Sequence, residues 1–330
     1  YNGLKVFDGS GYKLGDKREQ LISEAMDKEM QGDYTGAFIQ DKVYAKSYED
    51  SLILAGSDLG GMRILLDCAN GAAYRIAPEV FRKLGASVTC VGVNPDGGIN
   101  AGCGSTCVDT LKDRCAGTEW DAAFTFDGDS DRLIAMDERG GIIDGDRIMY
   151  YIACRWAAKG MLTPKIAVGT VLSNTGTEMA FAQQGIRFMR SDVGDKYVMD
   201  KMGESGAPIG GEQSGHIILA PYSTTGDGIL SAVIFASLLK EHGIKASEAG
   251  AYPLYPQVSE SVIVEDKDAV ISSEELSALK DRWTAALGGG RVLVRASGTE
   301  PKIRVMAECM DMDLAKVCVR EIADMCVKLR

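Results

Sequence analysis

Residues 62–92 read MRILLDCANGAAYRIAPEVFRKLGASVTCVG. A short β-rich run ends in a turn, a helical segment follows and stops near Gly85, and ASVTCVG begins a second β-rich run. Strand, helix and strand at this spacing make a βαβ unit, the building block of an α/β domain. The alternation continues through AAFTF (122–126) and LIAMD (133–137) to a helix after Asp146.

Downstream, KIAVGTV (165–171) opens another strand and helix alternation, with helices ending near Gly185 and Gly203 and an apolar helix from Asp227 to His242. Two prolines between Tyr252 and Pro256 suggest a linker. A small α+β unit follows: strand VSESVIVE (258–265), a helix from Ser273 to Leu287, strands RVLVR (291–295) and KIRVMAE (302–308), and a last helix from Asp311. Upstream there is a hairpin around Asp8-Gly9, then Asp16 and Glu19 as a capping box before Leu21, Ile22, Ala25 and Met26. That is too little for an independent core. The expected fold is α/β and multidomain: a truncated domain 1 (1–48), two α/β domains with mixed sheets (49–158 and 159–256) and a C-terminal α+β domain (257–330).

A chain of 330 residues should hold two to four domains. Its 45% hydrophobic and 25% charged residues are ordinary for a globular protein. The longest apolar stretch, Gly228 to Leu239, falls short of the roughly 18–20 residues that span a bilayer, so no membrane span is expected. A net charge of −11 argues against non-specific binding to nucleic acid. Nine cysteines without a CxxC pair and only two histidines, His216 and His242, lack zinc-ligand spacing. The cysteines read as mostly buried, reduced thiols of a cytoplasmic protein. The chain opens at Tyr1 without methionine or leader, and is expected to be part of a longer polypeptide.

Three stretches carry chemistry. FTFDGDSDRL (124–133) sets Asp127, Asp129 and Asp131 at alternate positions, where side chains point the same way and converge. Crowded carboxylates repel, and a hard divalent cation such as Mg²⁺ relieves the conflict while leaving room for phosphate oxygens. A calcium EF-hand is a rival, with Glu138 at the twelfth position, but Arg132 stands where the sharp turn needs glycine. A solvated acidic turn is the bland alternative. In GGEQSGHII (210–218), Glu212, Ser214 and His216 alternate among glycines and suit sugar hydroxyls, or the stretch is simply a glycine-rich turn. In RASGTEPKIR (295–304), Arg295, Ser297, Gly298, Thr299 and Arg304 could cradle a phosphate, or form a hairpin with exposed arginines.

In this order, DGDSDR, GEQSGH and RASGTEPKIRV resemble the α-D-phosphohexomutases, enzymes with four domains around a central cleft. YNGLKVF is similar to the segment that follows the family's Ser-His-Asn-Pro motif, whose serine carries the transferable phosphate and which residues 1–330 lack. The resemblance implies Mg²⁺ on Asp127, Asp129 and Asp131, with Lys5 and Arg132 as catalytic residues assisting proton transfer and steadying the phosphoryl group. It implies Glu212, Ser214 and His216 on the sugar, and Arg295, Ser297, Gly298, Thr299 and Arg304 on the phosphate that stays. Lys196 is a further residue that either faces the cleft or is a solvated helix lysine. Gln213 and INAGCGSTC (99–107) are similar to the glucosamine-phosphate members rather than to those acting on mannose or glucose phosphates; Cys107 replaces the usual histidine, and Ser130 stands where glycine is common. The implied reaction interconverts glucosamine 6-phosphate and glucosamine 1-phosphate through a bisphosphate, on the route to cell-wall precursors. The fragment alone is expected to be inactive. The alternatives are a phosphomannomutase or phosphoglucomutase of the same family, or a non-catalytic sugar-phosphate binder. A hexose phosphate is the expected partner, with neither nucleic acid nor membrane, and a homodimer is left as a possibility.

Overall fold

The computed structural model describes residues 5–26, 43–114, 119–297 and 300–329. These fall into two compact units, one within Tyr1–Thr170 and Gly185–Ala251, the other within Val171–Gln184 and Tyr252–Arg330.

In the first unit, α1 (Asp16–Met26) and α2 (Val43–Ala55) precede β1 (Arg63–Asp67), α3 (Ala73–Lys83), β2 (Ser87–Val91), α4 (Val108–Arg114), β3 (Ala122–Phe126), β4 (Leu133–Asp137) and β5 (Ile142–Ile143). The sheet order is β2-β1-β3-β4-β5. β1 runs parallel to β2 and β3, and β4 and β5 return antiparallel. The central strands are near-continuous apolar runs because both faces are covered: every residue of β3 and all but the first of β1 are buried.

The chain continues through α5 (Gly145–Ala158), β6 (Ile166–Thr170), α6 (Thr175–Gln183), β7 (Arg187–Ser191), α7 (Asp195–Ser205), β8 (Ile209–Gly211), β9 (Ile217–Leu219) and α8 (Gly228–His242). A second sheet has the order β7-β6-β8-β9, parallel except for β9. α7 runs past Gly203 to Gly206, because Gly206 supplies the left-handed φ of 69° that closes a helix and Gly203 does not. α8 is apolar on all sides, as a helix must be when both flanks are covered. Residues Gly228 to Leu239 are buried, against α2, α3, α5, β3, β4 and β9. Phe81 stacks on Phe124, and Phe235 meets the edges of Phe124 and Tyr151. Asp227 caps α8 by accepting from Leu230 N, and Gly243 closes it.

The second unit holds α6, β10 (Gln257–Ile263), α9 (Lys267–Ile271), α10 (Glu274–Ala286), β11 (Arg291–Ala296), β12 (Lys302–Glu308) and α11 (Met312–Lys328). The antiparallel sheet β10-β12-β11 buries Val262, Ile303 and Val305 with Leu276, Trp283, Val319 and Ile322. Within the stretch read as a linker, Tyr255 is bonded to the N-cap of α6: the Asn174 amide donates to Tyr255 O and accepts from Tyr255 N.

Candidate active site

β3 and β4 are neighbours with Phe126 opposite Leu133, so residues 127–132 form the connecting loop. One carboxylate oxygen each from Asp127, Asp129 and Asp131 lies within 4.8 Å of the others. The loop is shaped by its own backbone: Ser130 N donates to Asp127 O, Arg132 N to an Asp127 carboxylate oxygen, and Ser130 turns left-handed at φ 63°. The helix N-terminus of α8 abuts it, with Gly228 N donating to Ser130 O; a Cβ on Gly228 would fall 2.5 Å from Arg132 O.

The Lys5 ammonium binds Asp131 and lies 3.1 Å from Asp129. Partial burial opposes its charge, but Asp131 and then Asp129 hold its pKa above the ordinary lysine value. Asp127 is pushed up to about 7, first by burial and then by the charges of Asp131 and Asp129. Asp131 is held well below the usual carboxylate range: burial works against ionisation, and His216 and Lys5 outweigh it. Three clustered carboxylates outnumber the Lys5 ammonium and the Arg132 guanidinium beside them, and an all-oxygen donor set fits a hard divalent cation. Glu138 does not join them. It is bonded to Ser247 through both backbone N and hydroxyl, beyond strand β4, so the EF-hand alternative fails.

The turn at 212–216 is stitched to this loop. Arg132 and His216 form an antiparallel bridge, and Leu133 N donates to Gly215 O. His216 is 3% exposed, its Nδ1 is 3.3 Å from the Asp131 carboxylate, and its ring lies against Gly226. Its place is behind Asp131 rather than on an open surface. Ser214 is exposed at the turn. Glu212 accepts from Gly194 N, at the start of α7, through one carboxylate oxygen. Gln213 donates to Asp144, the N-cap of α5, so this residue, singled out for substrate preference, has a structural engagement. Gly145 must be glycine, since a Cβ there would sit 2.1 Å from Glu212 O. Arg132 is half exposed and 3.9 Å from Asp127 through Nε. Lys196 is partly buried beside Tyr197 and lines a cavity of about 100 Å³ with Asp195, His216 and Thr225.

In the second unit, Arg295 on β11 stands directly opposite Arg304 on β12. Burial, then the Arg304 charge, hold the Arg295 pKa below its ordinary value. Like charges facing across a strand pair are unfavourable unless an anion joins them. Ser297 is 4% exposed; its N–H donates to Lys302 O and its carbonyl accepts from Lys267. Arg304 lies 3.5 Å from Glu300. Gly298 and Thr299 lie outside the described residues. Reading by motif missed Asp67 and Asn70, which hold the neighbouring backbone; the Asp-x-x-Asn-Gly turn after β1 was their visible trace.

The chain matches the family descriptions "Phosphoglucomutase/phosphomannomutase, alpha/beta/alpha domain II" over residues 42–141, "alpha/beta/alpha domain III" over 144–254 and "C-terminal domain" over 262–325. It belongs to this phosphohexomutase family and is thus an enzyme of the isomerase class. Within the family it is most like the phosphoglucosamine mutases, being 44% identical to that of Symbiobacterium thermophilum over 321 residues, 94% of this chain and 72% of the relative. Among solved structures, a phosphoglucomutase/phosphomannomutase family protein from Burkholderia thailandensis superposes with a TM-score of 0.74 at 19% identity, covering 95% of this chain and 70% of the other. The N-acetylphosphoglucosamine mutase of Aspergillus fumigatus, in complex with GlcNAc-6P and magnesium, gives 0.69 at 22% identity, covering 84% and 68%. Both share the fold. Among the described residues no helix is long and apolar enough to cross a membrane.

Proposed function

We propose that this chain carries the metal loop, sugar turn and phosphate cradle of an enzyme interconverting glucosamine 6-phosphate and glucosamine 1-phosphate. The observation that carries the reading is the junction of two motifs some 80 residues apart, with Arg132 bridged to His216 and Asp131 backed by the His216 ring. A turn suited to sugar hydroxyls is thereby fixed beside a loop suited to a cation and a phosphoryl group.

Asp127, Asp129 and Asp131 would hold Mg²⁺, which when bound supplies positive charge to phosphoryl oxygens. Arg132 offers forked donors to the same oxygens. Lys5, which pairs with Asp129 and Asp131 as an ammonium, would neutralise charge and hand a proton to a leaving oxygen. His216 fixes Asp131, Glu212 and Ser214 bind sugar hydroxyls, and Arg295, Ser297, Gly298, Thr299 and Arg304 grip the phosphate that is not transferred. The transferable phosphate would come from a serine of a Ser-His-Asn-Pro segment, which residues 1–330 do not contain. Catalysis is then positioning and charge neutralisation. The relatives' name supports the amino sugar, and the magnesium complex of a structural neighbour supports the cation.

The test is calorimetry on residues 1–330 with Mg²⁺ and a panel of glucosamine 6-phosphate, glucose 6-phosphate and mannose 6-phosphate. Tightest binding of the amino sugar is expected; equal or tighter binding of mannose or glucose 6-phosphate would move the chain to a sister specificity.

A further inference from the structure

Four non-glycine residues adopt left-handed backbone among the described residues: Ala69, Asn70, Asn100 and Ser130, with φ between 54° and 63°. Such conformations cost energy for residues with a Cβ and persist only where surroundings impose them. All four lie around residues 126–130. Ser130 is in the metal loop itself, Ala69 and Asn70 are in the turn after β1, and Asn100 N donates to Ala69 O.

The turn and the segment 94–105 enclose the loop from two sides. Ala72 N donates to Gly128 O at 2.9 Å, and Ser105 N to Phe126 O at 2.8 Å, immediately before Asp127. Clearances are minimal. A Cβ on Gly71 would fall 2.3 Å from Gly128 O, and one on Gly128 would fall 2.5 Å from Ile99 and 3.0 Å from the Asn100 amide. Two side chains hold the enclosing segments together. Asp67, 1% exposed at the end of β1, accepts from Ala69 N at 3.0 Å and from Gly104 N at 2.9 Å. Asn70 accepts from Asn94 N at 3.1 Å and donates to Gly98 O at 3.2 Å.

Resting on the reading of Asp127, Asp129 and Asp131 as the cation site, we infer that Asp67 and Asn70 are positioning residues for that site. They clamp segment 94–105 to the β1 turn, and the clamped pair fixes the backbone on both sides of Asp127. The stretch INAGCGSTC thereby becomes a wall of the metal loop, held by Gly104 and Ser105.

The test is Mn²⁺ binding to residues 1–330, followed by electron paramagnetic resonance and calorimetry well below the melting temperature, with melting recorded in parallel. Asp67→Asn keeps the shape but sets an NH₂ donor against one of the two N–H groups; Asn70→Gly keeps the left-handed backbone and removes both side-chain bonds, and serves if the first variant does not fold. Each is expected to weaken Mn²⁺ binding about tenfold, as losing outer support of metal ligands does. Asp311→Ala, which removes the cap of α11, is expected to lower melting without moving Mn²⁺ affinity. Wild-type affinity in a folded Asp67→Asn or Asn70→Gly variant overturns the inference. Failure of the wild-type chain to bind Mn²⁺ overturns the metal reading beneath it.

Discussion

Ser130→Gly should stabilise the first unit. Ser130 holds φ at 63°, and its hydroxyl is buried with no hydrogen-bond partner among the described residues. Both backbone bonds of the residue, from Ser130 N to Asp127 O and from Gly228 N to Ser130 O, survive in glycine. Left-handed backbone costs a residue with a Cβ about 1–2 kcal/mol. An unmet buried hydroxyl costs about 1 kcal/mol more, and the looser unfolded chain of glycine takes back about 0.5–1 kcal/mol. The net gain is about 1–2.5 kcal/mol, or an upward shift of about 0.3–0.8 M in a urea midpoint for a unit of this size. Trp120 and Trp156 lie in the first unit and Trp283 in the second, so a Trp283→Phe background confines the fluorescence signal to the first. A midpoint that stays put or falls would refute the strain argument.

The junction of the two motifs offers a second test. Gly215 has φ 96°, and a Cβ there would lie 2.2 Å from Leu133 O, so Gly215→Ala should destabilise the first unit by about 2 kcal/mol or more, seen as a lower urea midpoint. Arg295→Ala should weaken hexose-phosphate binding by about 2–3 kcal/mol in calorimetry through lost charge-assisted bonds, while relieving the repulsion with Arg304 and raising the melting point of the second unit at low salt. Unchanged affinity would reject the role. Asp227 is raised by burial, against bonds from Leu230 N and the Tyr48 hydroxyl. A raised carboxylate holds its proton more tightly folded than unfolded, so its contribution is fully present at low pH and is lost as pH rises through the folded pKa. The stability of the wild type relative to Asp227→Asn should therefore be greater at about pH 4.5 than at about pH 7.5; the opposite slope would contradict the burial argument.

Strands β1, β3 and β4 were legible because burial on both faces writes them as continuous apolar runs, and helix caps such as Ser273 and Asp311 mark their own starts. α8 was legible as a helix, but periodicity says nothing of which sheet an all-apolar helix will cover. Gly203 and Gly206 look alike in sequence; only the backbone shows which one turns left-handed. α9 was missed because five residues carry no period, although Asp266 caps it. The three aspartates were visible as a motif, whereas Lys5 joins Asp131 across 126 residues of chain and Gln213 is engaged with Asp144, contacts no local pattern encodes.

The central claim is that the metal loop and the sugar turn serve one ligand. Bound Mn²⁺ should sharply enhance the ³¹P relaxation of glucosamine 1,6-bisphosphate added to residues 1–330, and Asp129→Ala should remove the enhancement. Phosphorus relaxation indifferent to Mn²⁺, with both ligands shown to be bound, would contradict the account.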